Sequence, residues 1–294
     1  MTFFADFCIP FIVGTIIMFA AIAIKYFIWL RDLPKSDKIL IIKGIFSPRI
    51  FTATWEVVRE SLLHYRIFKV NPLLGYMHMS LAFGWFLLIS VGWIETIAYL
   101  GFKMIPLQGH VFFKYFVPLN GITAHKPLFD FVMDLLLLFV LSGVAMAWLK
   151  RARSRALGMK KTTNHILFDR IALTSLWFIF PARLIAESLT AAIYGGEGFL
   201  TGSIGTWLSE TLPSNILLNL YEPSWWIYSS LLGIFFITLP FSRYMHIITE
   251  IPLIFLRRWK LKPTTERKSY DRFEVEACSR CGICIDPCQL QSDL

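Results

Sequence analysis

Five long apolar stretches constrain this chain more than any other feature of its sequence. They lie at roughly Phe7–Leu30, Leu73–Phe102, Leu128–Leu149, Ile171–Tyr194 and Trp225–Phe255. A helix needs about 20 apolar residues to cross a bilayer, and each stretch is long enough. The bilayer core also forces a spanning segment to satisfy its own backbone hydrogen bonds. The sequence therefore predicts an all-α integral membrane protein, a bundle of five transmembrane helices.

Composition supports the membrane class and argues against nucleic-acid binding. The chain is 56% hydrophobic and 17% charged, whereas a soluble domain has about 25% charged residues. A net charge of +9 could indicate a polyanionic partner. However, the Lys and Arg residues lie between the apolar stretches, where topology signals belong. The bilayer itself, and not nucleic acid, is the predicted partner.

The distribution of these cations also predicts an orientation. Eight Lys and Arg residues lie in Arg31–Lys69 and seven in Lys150–Arg170, but there are none in 195–224. The positive-inside rule then puts the N-terminus outside the cell inner membrane and the C-terminus in the cytoplasm. Asp6 stands where a signal peptide would be positive, so the first stretch is expected to remain as an anchor. Ile50–Phe68 is predicted to be an amphipathic helix on the inner surface.

Two histidines fall within the predicted spans. His78 lies six residues after Pro72 and His246 twenty-one residues after Trp225, which is about 9 Å and about 30 Å along oppositely directed helices. Both would lie near the cytoplasmic side, where two neutral imidazoles can bind one haem iron. Arg243 could then pair with a haem propionate. The alternative is that the two histidines only form hydrogen bonds across helices.

The residues around these histidines also bear on the haem hypothesis. Small residues leave room for a flat macrocycle near His78, although they also serve plain helix contacts. They are Gly75, Ser80, Ala82 and Gly84. The remaining histidines are predicted to be solvated or interfacial. They are His64, His110, His125 and His165.

A cysteine motif near the C-terminus predicts a second redox site. Cys278, Cys281, Cys284 and Cys288 have the spacing C-x2-C-x2-C-x3-C, which is typical of 4Fe-4S clusters in bacterial ferredoxins. Zinc is the alternative, but structural zinc prefers two separated cysteine pairs. Cys8 is predicted to lie on the other side of the membrane. The chain thus divides into a membrane domain, 1–262, and a C-terminal segment, 263–294.

The cysteine motif is incomplete for a two-cluster module. In two-cluster ferredoxins the fourth cysteine of such a run binds the other cluster, and no second run follows Cys288. Three explanations stay open. The chain is truncated relative to its relatives, a partner supplies the missing ligands, or these four cysteines alone bind a single cluster.

Two segments carry a family resemblance. Thr238–Lys260, TLPFSRYMHIITEIPLIFLRRWK, resembles the end of the last span in the gamma subunit of respiratory nitrate reductase. It is also similar to membrane cytochrome subunits of heterodisulfide reductases and of the dissimilatory sulfite reductase complex. Asn71–Leu88, NPLLGYMHMSLAFGWFLL, resembles the second span of that family. The resemblance implies a haem b bound by His78 and His246, a quinone or menaquinone partner, and a cytoplasmic iron–sulfur oxidoreductase subunit.

The chain departs from the nitrate reductase pattern at the second haem. The ligands of that haem would fall near Leu88 and Tyr228, and neither side chain can replace imidazole. One haem is therefore expected, with an outer haem held by His110 or His125 as the alternative.

The ionisable residues inside the spans have two possible roles. They are Glu95, Asp134, Arg183 and Glu187. They could form a quinone pocket or a proton path, or they could be structural ion pairs and interfacial charges.

The predicted function is that of an electron-transfer subunit in a quinone-linked oxidoreductase complex. Electrons would pass between the quinone, haem b and the iron–sulfur partner. Two alternatives stay open, a haem-free membrane anchor for an iron–sulfur enzyme and a transporter with a metal-binding tail.

Overall fold

The computed structural model describes residues 6–100, 127–158, 166–261 and 268–278, and these ranges are helical with no strand. The side chains of 96–100, 127 and 268–271 are not described. The α-helices are α1 Ile9–Arg31, α2 Lys35–Ile45, α3 Arg49–Val57, α4 Tyr65–Val70, α5 Pro72–Leu100, α6 Pro127–Ala156, α7 Leu167–Tyr194, α8 Thr201–Thr211, α9 Ser214–Thr238, α10 Met245–Arg258 and α11 Lys268–Glu276.

Within the described ranges, five helical segments are long and apolar enough to cross a membrane. They are Asp6–Arg31, Pro72–Glu95, Leu128–Ala156, Leu167–Tyr194 and Ser214–Phe241. The predicted five-span, all-α architecture is thereby confirmed, and the chain has the character of a multi-pass membrane protein. The orientation in the membrane stays a prediction.

The spans pack around α9. This helix contacts α1 on one side and α7 on the other, and α6 lies between α7 and α5. Trp85 of α5 reaches back to the centre, with ring centroids 5.4 Å from Phe180 of α7 and 5.5 Å from Phe235 of α9. Aromatic contacts of this kind supply much of the packing in a bundle whose outer surface meets lipid.

Two glycines let α1 and α9 cross at close range. A Cβ atom on Gly14 would lie 2.6 Å from the Cα of Gly233. A Cβ atom on Gly233 would collide with the carbonyl oxygen of Pro10. Small residues at such crossings let helix backbones approach, which is how spanning helices gain packing energy in lipid.

We expect Gly233→Val to separate α1 from α9 and to destabilise the bundle. Overpacking typically costs about 1–3 kcal/mol, because the colliding atoms are backbone and cannot rotate away. Thermal unfolding of the purified protein in detergent measures the effect. Val13→Leu, at an exposed position of α1, is the matched control, and equal melting temperatures for the two variants would contradict the prediction.

The fifth span ends earlier than predicted. α9 passes into a 3-10 turn at Leu239–Phe241, the chain is non-helical at Ser242, and α10 then begins at Met245. Pro240 lacks a backbone N–H, so the α-helix does not continue through it. α10 packs mainly on α3. The predicted continuous span Trp225–Phe255 is therefore wrong in this respect.

The surface segment before α5 is also less regular than predicted. The expected helix Ile50–Phe68 is divided into α3, a π-helix at Val58–Leu62 and α4. His64 separates the last two, in the left-handed region at φ 52° and ψ 39°. The chain therefore turns sharply at His64 before it enters α5.

Candidate functional site

The break after α9 is stabilised by two buried or half-buried polar groups. Lys25 of α1 donates from Nζ to the carbonyl oxygen of Pro240 at 2.6 Å. Asp169 of α7, only 1% exposed, accepts the backbone N–H of Arg243 on Oδ1 at 2.7 Å. Irregular backbone near a membrane persists only where its polar groups find partners. These two contacts fix the direction in which α10 leaves, and with it the position of His246.

We expect Asp169→Ala to destabilise this break by about 1–3 kcal/mol, because it leaves the part-buried N–H of Arg243 without an acceptor. Thermal unfolding in detergent measures the loss. Asp169→Asn keeps an acceptor oxygen and is the matched control, so it is expected to retain most of the stability. If Asp169→Ala were as stable as the wild type, Asp169 would not hold the break.

The structure brings three histidines together at one end of the bundle. The ring of His64 stacks on that of His78, with centroids 5.4 Å apart and planes inclined by 23°. His246 lies close enough for electrostatic interaction with both rings. We call this group the histidine cluster. The predicted pair, His78 and His246, is brought together within it.

His64 is the member that the sequence analysis missed. It is half-buried against His78, so the prediction of a solvated side chain is wrong. The available signal was the turn at Asn71-Pro72, which folds the preceding segment back along the start of α5. Nothing in the sequence shows how far that segment folds back.

The hydrogen bonds of two cluster members leave one ring nitrogen available. Nδ1 of His246 lies 2.5 Å from the carbonyl oxygen of Arg243, and Nδ1 of His64 lies 3.1 Å from that of Leu62. A carbonyl oxygen can only accept, so Nδ1 carries the proton in each ring. The lone pair is then on Nε2. This is the usual state of a metal-binding histidine.

Burial keeps two of these histidines uncharged near neutral pH. It lowers the pKa of His64 and of His246 below the ordinary histidine value, since neither ring is fully solvated as a cation. The carbonyl hydrogen bonds act in the opposite sense but are the smaller effect. Neutral imidazole is the form that binds a metal.

His78 faces the interior of the bundle and yet is accessible. Trp85 lies seven residues further along α5, hence on the same face, and packs against α7 and α9. The ring of His78 is nevertheless exposed. His78 is therefore accessible at this end of the bundle, beside the ring of His64.

Three of the four small residues near His78 pack against neighbouring helices and leave no open space for a macrocycle. A Cβ atom on Gly84 would meet Val140 of α6, and a Cβ atom on Gly143 of α6 would collide with Ser80. Gly75 lies against Phe68 of α4. These small residues therefore serve helix packing.

The donor chemistry of the cluster fits a haem iron. It offers neutral imidazoles on separate elements, and Arg243 lies half-buried one turn before His246. Within the described ranges, no group of three or more His, Cys, Asp or Glu side chains is arranged to hold a metal ion. A haem iron needs at most two protein ligands, because the porphyrin supplies the other four. The stacking of His64 on His78 is not expected for a site made of His78 and His246 alone.

The C-terminal segment approaches the same end of the bundle. The ring of Phe273 in α11 lies 4.8 Å from Trp29 and 5.7 Å from Tyr26, near the end of α1. The hydroxyl of Tyr26 also donates to the carbonyl oxygen of Ile248, two residues after His246, at 3.0 Å. Exposed Cys278 follows α11 directly, so the start of the cysteine motif lies at the histidine end.

The other residues considered as ligands in the sequence analysis either lie outside the described residues or lie away from the histidine cluster. Cys281, Cys284 and Cys288 lie outside the described residues, as do His110, His125 and His165. Cys8 is buried at the start of α1, a helix about 34 Å long, and so lies far from Cys278. Leu88 and Tyr228, where a second haem would need ligands, are each 1% exposed in the core.

Two of the intramembrane carboxylates have structural partners. Oδ2 of Asp134 accepts the N–H groups of Leu200 and Thr201 at 2.7 and 3.0 Å. Arg183 donates from Nε to Oε1 of Glu187 at 2.5 Å, with both side chains buried. The predicted structural ion pair is confirmed for Arg183 and Glu187. Asp134 instead binds the backbone at the start of α8.

Comparison of the chain with protein families, with characterised proteins and with solved structures gives no match. The fold and the cluster together define an all-α, multi-pass membrane protein with three histidines at one end of its bundle. The family resemblance of the two histidine segments thus stays an expectation.

Proposed function

We propose that this protein is the membrane-bound electron-transfer subunit of a quinone-linked oxidoreductase complex in the cell inner membrane. In this proposal it carries one haem b, which exchanges electrons between the quinone or menaquinone pool and a cytoplasmic iron–sulfur partner. The observation that carries the proposal is the meeting of His78 and His246 in one cluster, with Nε2 of His246 left available.

The roles of the chain's own residues follow from their chemistry. His78 and His246 would hold the iron from α5 and α10, and Arg243 would neutralise a propionate. The carbonyl oxygen of Arg243 orients the His246 ring through Nδ1. The haem, when bound, supplies a one-electron redox centre. Because α10 is not among the candidate spans whereas α5 is, such a site would lie near the edge of the membrane.

The order of electron carriers is supported by the position of Cys278. Because Cys278 and the histidine cluster lie at the same end of the bundle, a cluster bound by Cys278, Cys281, Cys284 and Cys288 would be a near neighbour of the haem. This end would be the cytoplasmic one, in agreement with the cation-rich connections. The quinone follows from the family resemblance.

A visible spectrum of the purified full-length protein tests the proposal. The dithionite-reduced minus oxidised spectrum is expected to show b-type bands, at close to one haem per chain. Well-folded protein produced with ample haem but without such bands would overturn the proposal and favour a haem-free anchor or a transporter. For the tail, iron and acid-labile sulfide are expected to exceed zinc, and a zinc-only analysis would remove the iron–sulfur assignment.

A further inference from the structure

A small acidic cavity lies at the end of the bundle opposite the histidine cluster. Glu95 is seventeen residues after His78 on α5, which is about 25 Å along the helix. The cavity is lined by α5, α6, α7 and the loop before α8, and its acidic lining residues are Glu95, Asp130, Asp134 and Glu187. Gly195 and Gly196, which also line it, are exposed, so water can reach the cavity from the end of the bundle.

The size of the cavity decides whether these carboxylates could form a quinone pocket or a proton path. Its volume is about 60 Å³. A water molecule needs about 10–15 Å³ on this scale, so the cavity has room for a few waters. Sites for organic cofactors are typically about 300–1,000 Å³. The cavity therefore suits water and protons, and it is too small for a quinone ring.

Two of the lining carboxylates have polar or charged partners among the described residues. Asp134 accepts the N–H groups of Leu200 and Thr201 and also the Thr201 hydroxyl, at 2.8 Å. It therefore sits at the positive N-terminal end of α8, which favours a negative charge. Glu187 is paired with Arg183. Both carboxylates thus have partners of complementary polarity.

Among the described residues, Glu95 has no partner of this kind for its Oε2 atom. The residue is 2% exposed, and its Oε2 atom has no hydrogen-bond partner. Its electrostatic neighbours are the carboxylates Asp130 and Glu187 and the guanidinium Arg183, and that guanidinium already pairs with Glu187. A buried carboxylate without a partner is unfavourable, whereas the neutral acid is tolerated. Oε2 is therefore the atom of this cavity most suited to carry a proton.

We propose that the cavity is a proton-binding site, in which Glu95 takes an exchangeable proton from cavity water and returns it to the same water. On binding, an O–H bond of a hydronium ion breaks and the Oε2–H bond forms, so that Glu95 becomes neutral and water remains. This inference is independent of the haem and of the iron–sulfur motif.

Infrared difference spectroscopy of the protein in lipid nanodiscs tests this site directly. A protonated carboxyl group gives a carbonyl stretch above the amide band, and the wild type is expected to show one at neutral pH. Labelling glutamate with a heavy carbon isotope should shift that band, which assigns it to Glu without a mutation. Transfer to heavy water should shift it within minutes, because the cavity reaches solvent.

Two variants complete the test. Glu95→Gln is nearly isosteric and is expected to abolish the band. Glu210→Gln, at an exposed carboxylate on α8, is the matched control and should leave the band unchanged. If Glu95→Gln does not fold, Glu95→Asp keeps a carboxyl group at this position, and its band should no longer respond to the glutamate label.

Three outcomes would overturn the proposal. The first is a wild type without a protonated glutamate band at neutral pH. The second is a band that Glu95→Gln leaves in place. The third is a band that disappears when choline is replaced by sodium at constant pH, which would make the cavity a cation site. None of these readouts depends on bound haem, so they separate this inference from the proposed electron-transfer function.

Discussion

Replacing either His78 or His246 with alanine is expected to lower the bound haem by at least about tenfold, because even changes to residues behind a metal ligand cost about 10–100-fold in affinity. His64→Ala is expected to retain the haem. The three variants differ in one member of the same cluster, so each is a control for the other two. Haem per chain, from the reduced spectrum and total protein, is the measurement.

The comparison also decides which histidines bind the iron. His64 stacks on His78 and has its own Nδ1 hydrogen bond, so it is chemically able to be the second ligand. Loss of haem in His64→Ala with retention in His246→Ala would move the second ligand from α10 to the turn before α4. Added imidazole should restore the bands of His246→Ala if the variant is folded and only the ligand is missing. Bands that persist in both His78→Ala and His246→Ala would contradict the proposed site.

Arg183→Met is expected to destabilise the bundle by about 3–5 kcal/mol, since it leaves Glu187 as a buried charge without its partner. The side chains of Arg183 and Glu187 are only 4% and 6% exposed. The double variant Arg183→Met/Glu187→Met removes both charges and is expected to recover most of the loss, because a buried ion pair often contributes little more than apolar packing. Reversible unfolding in mixed detergent micelles measures the three free energies of unfolding.

An exposed ion pair supplies the control for this experiment. Arg31 and Asp32 pair at 3.2 Å with side chains 63% and 44% exposed. Arg31→Met is expected to change the free energy of unfolding by about 0–1 kcal/mol. If the single variant Arg183→Met and the double variant were equally unstable, the loss would come from packing around Arg183 and not from the unpaired charge of Glu187.

The spans could be predicted from the sequence because the bilayer imposes length and hydrophobicity together. The end of the fifth span could not be located in the same way. The apolar run continues past Pro240 into α10, so hydropathy gives no boundary there. The break depends on acceptors and donors from distant helices, Asp169 of α7 and Lys25 of α1, and no local pattern predicts such contacts.

Some of the candidate site residues could likewise be predicted from the sequence, and others could not. His78 and His246 were identifiable because histidine is rare and costly within apolar segments. Their third companion, His64, could not be found, since its position depends on a left-handed turn and on how the surface segment folds back. Among the carboxylates, sequence could not single out Glu95 from Asp134, whose partners come from a loop more than sixty residues away.

The break after α9 also has a consequence for how the protein is made. His78 is carried by a span, whereas His246 is carried by α10, which rests on α3 and is tied to it by the ion pair of Arg258 with Glu56. Insertion of the hydrophobic segments by the translocation machinery can thus be complete before α10 settles on α3. The histidine cluster would then be completed after membrane insertion, and a chain arrested between the two steps would be fully inserted but unable to bind the proposed haem.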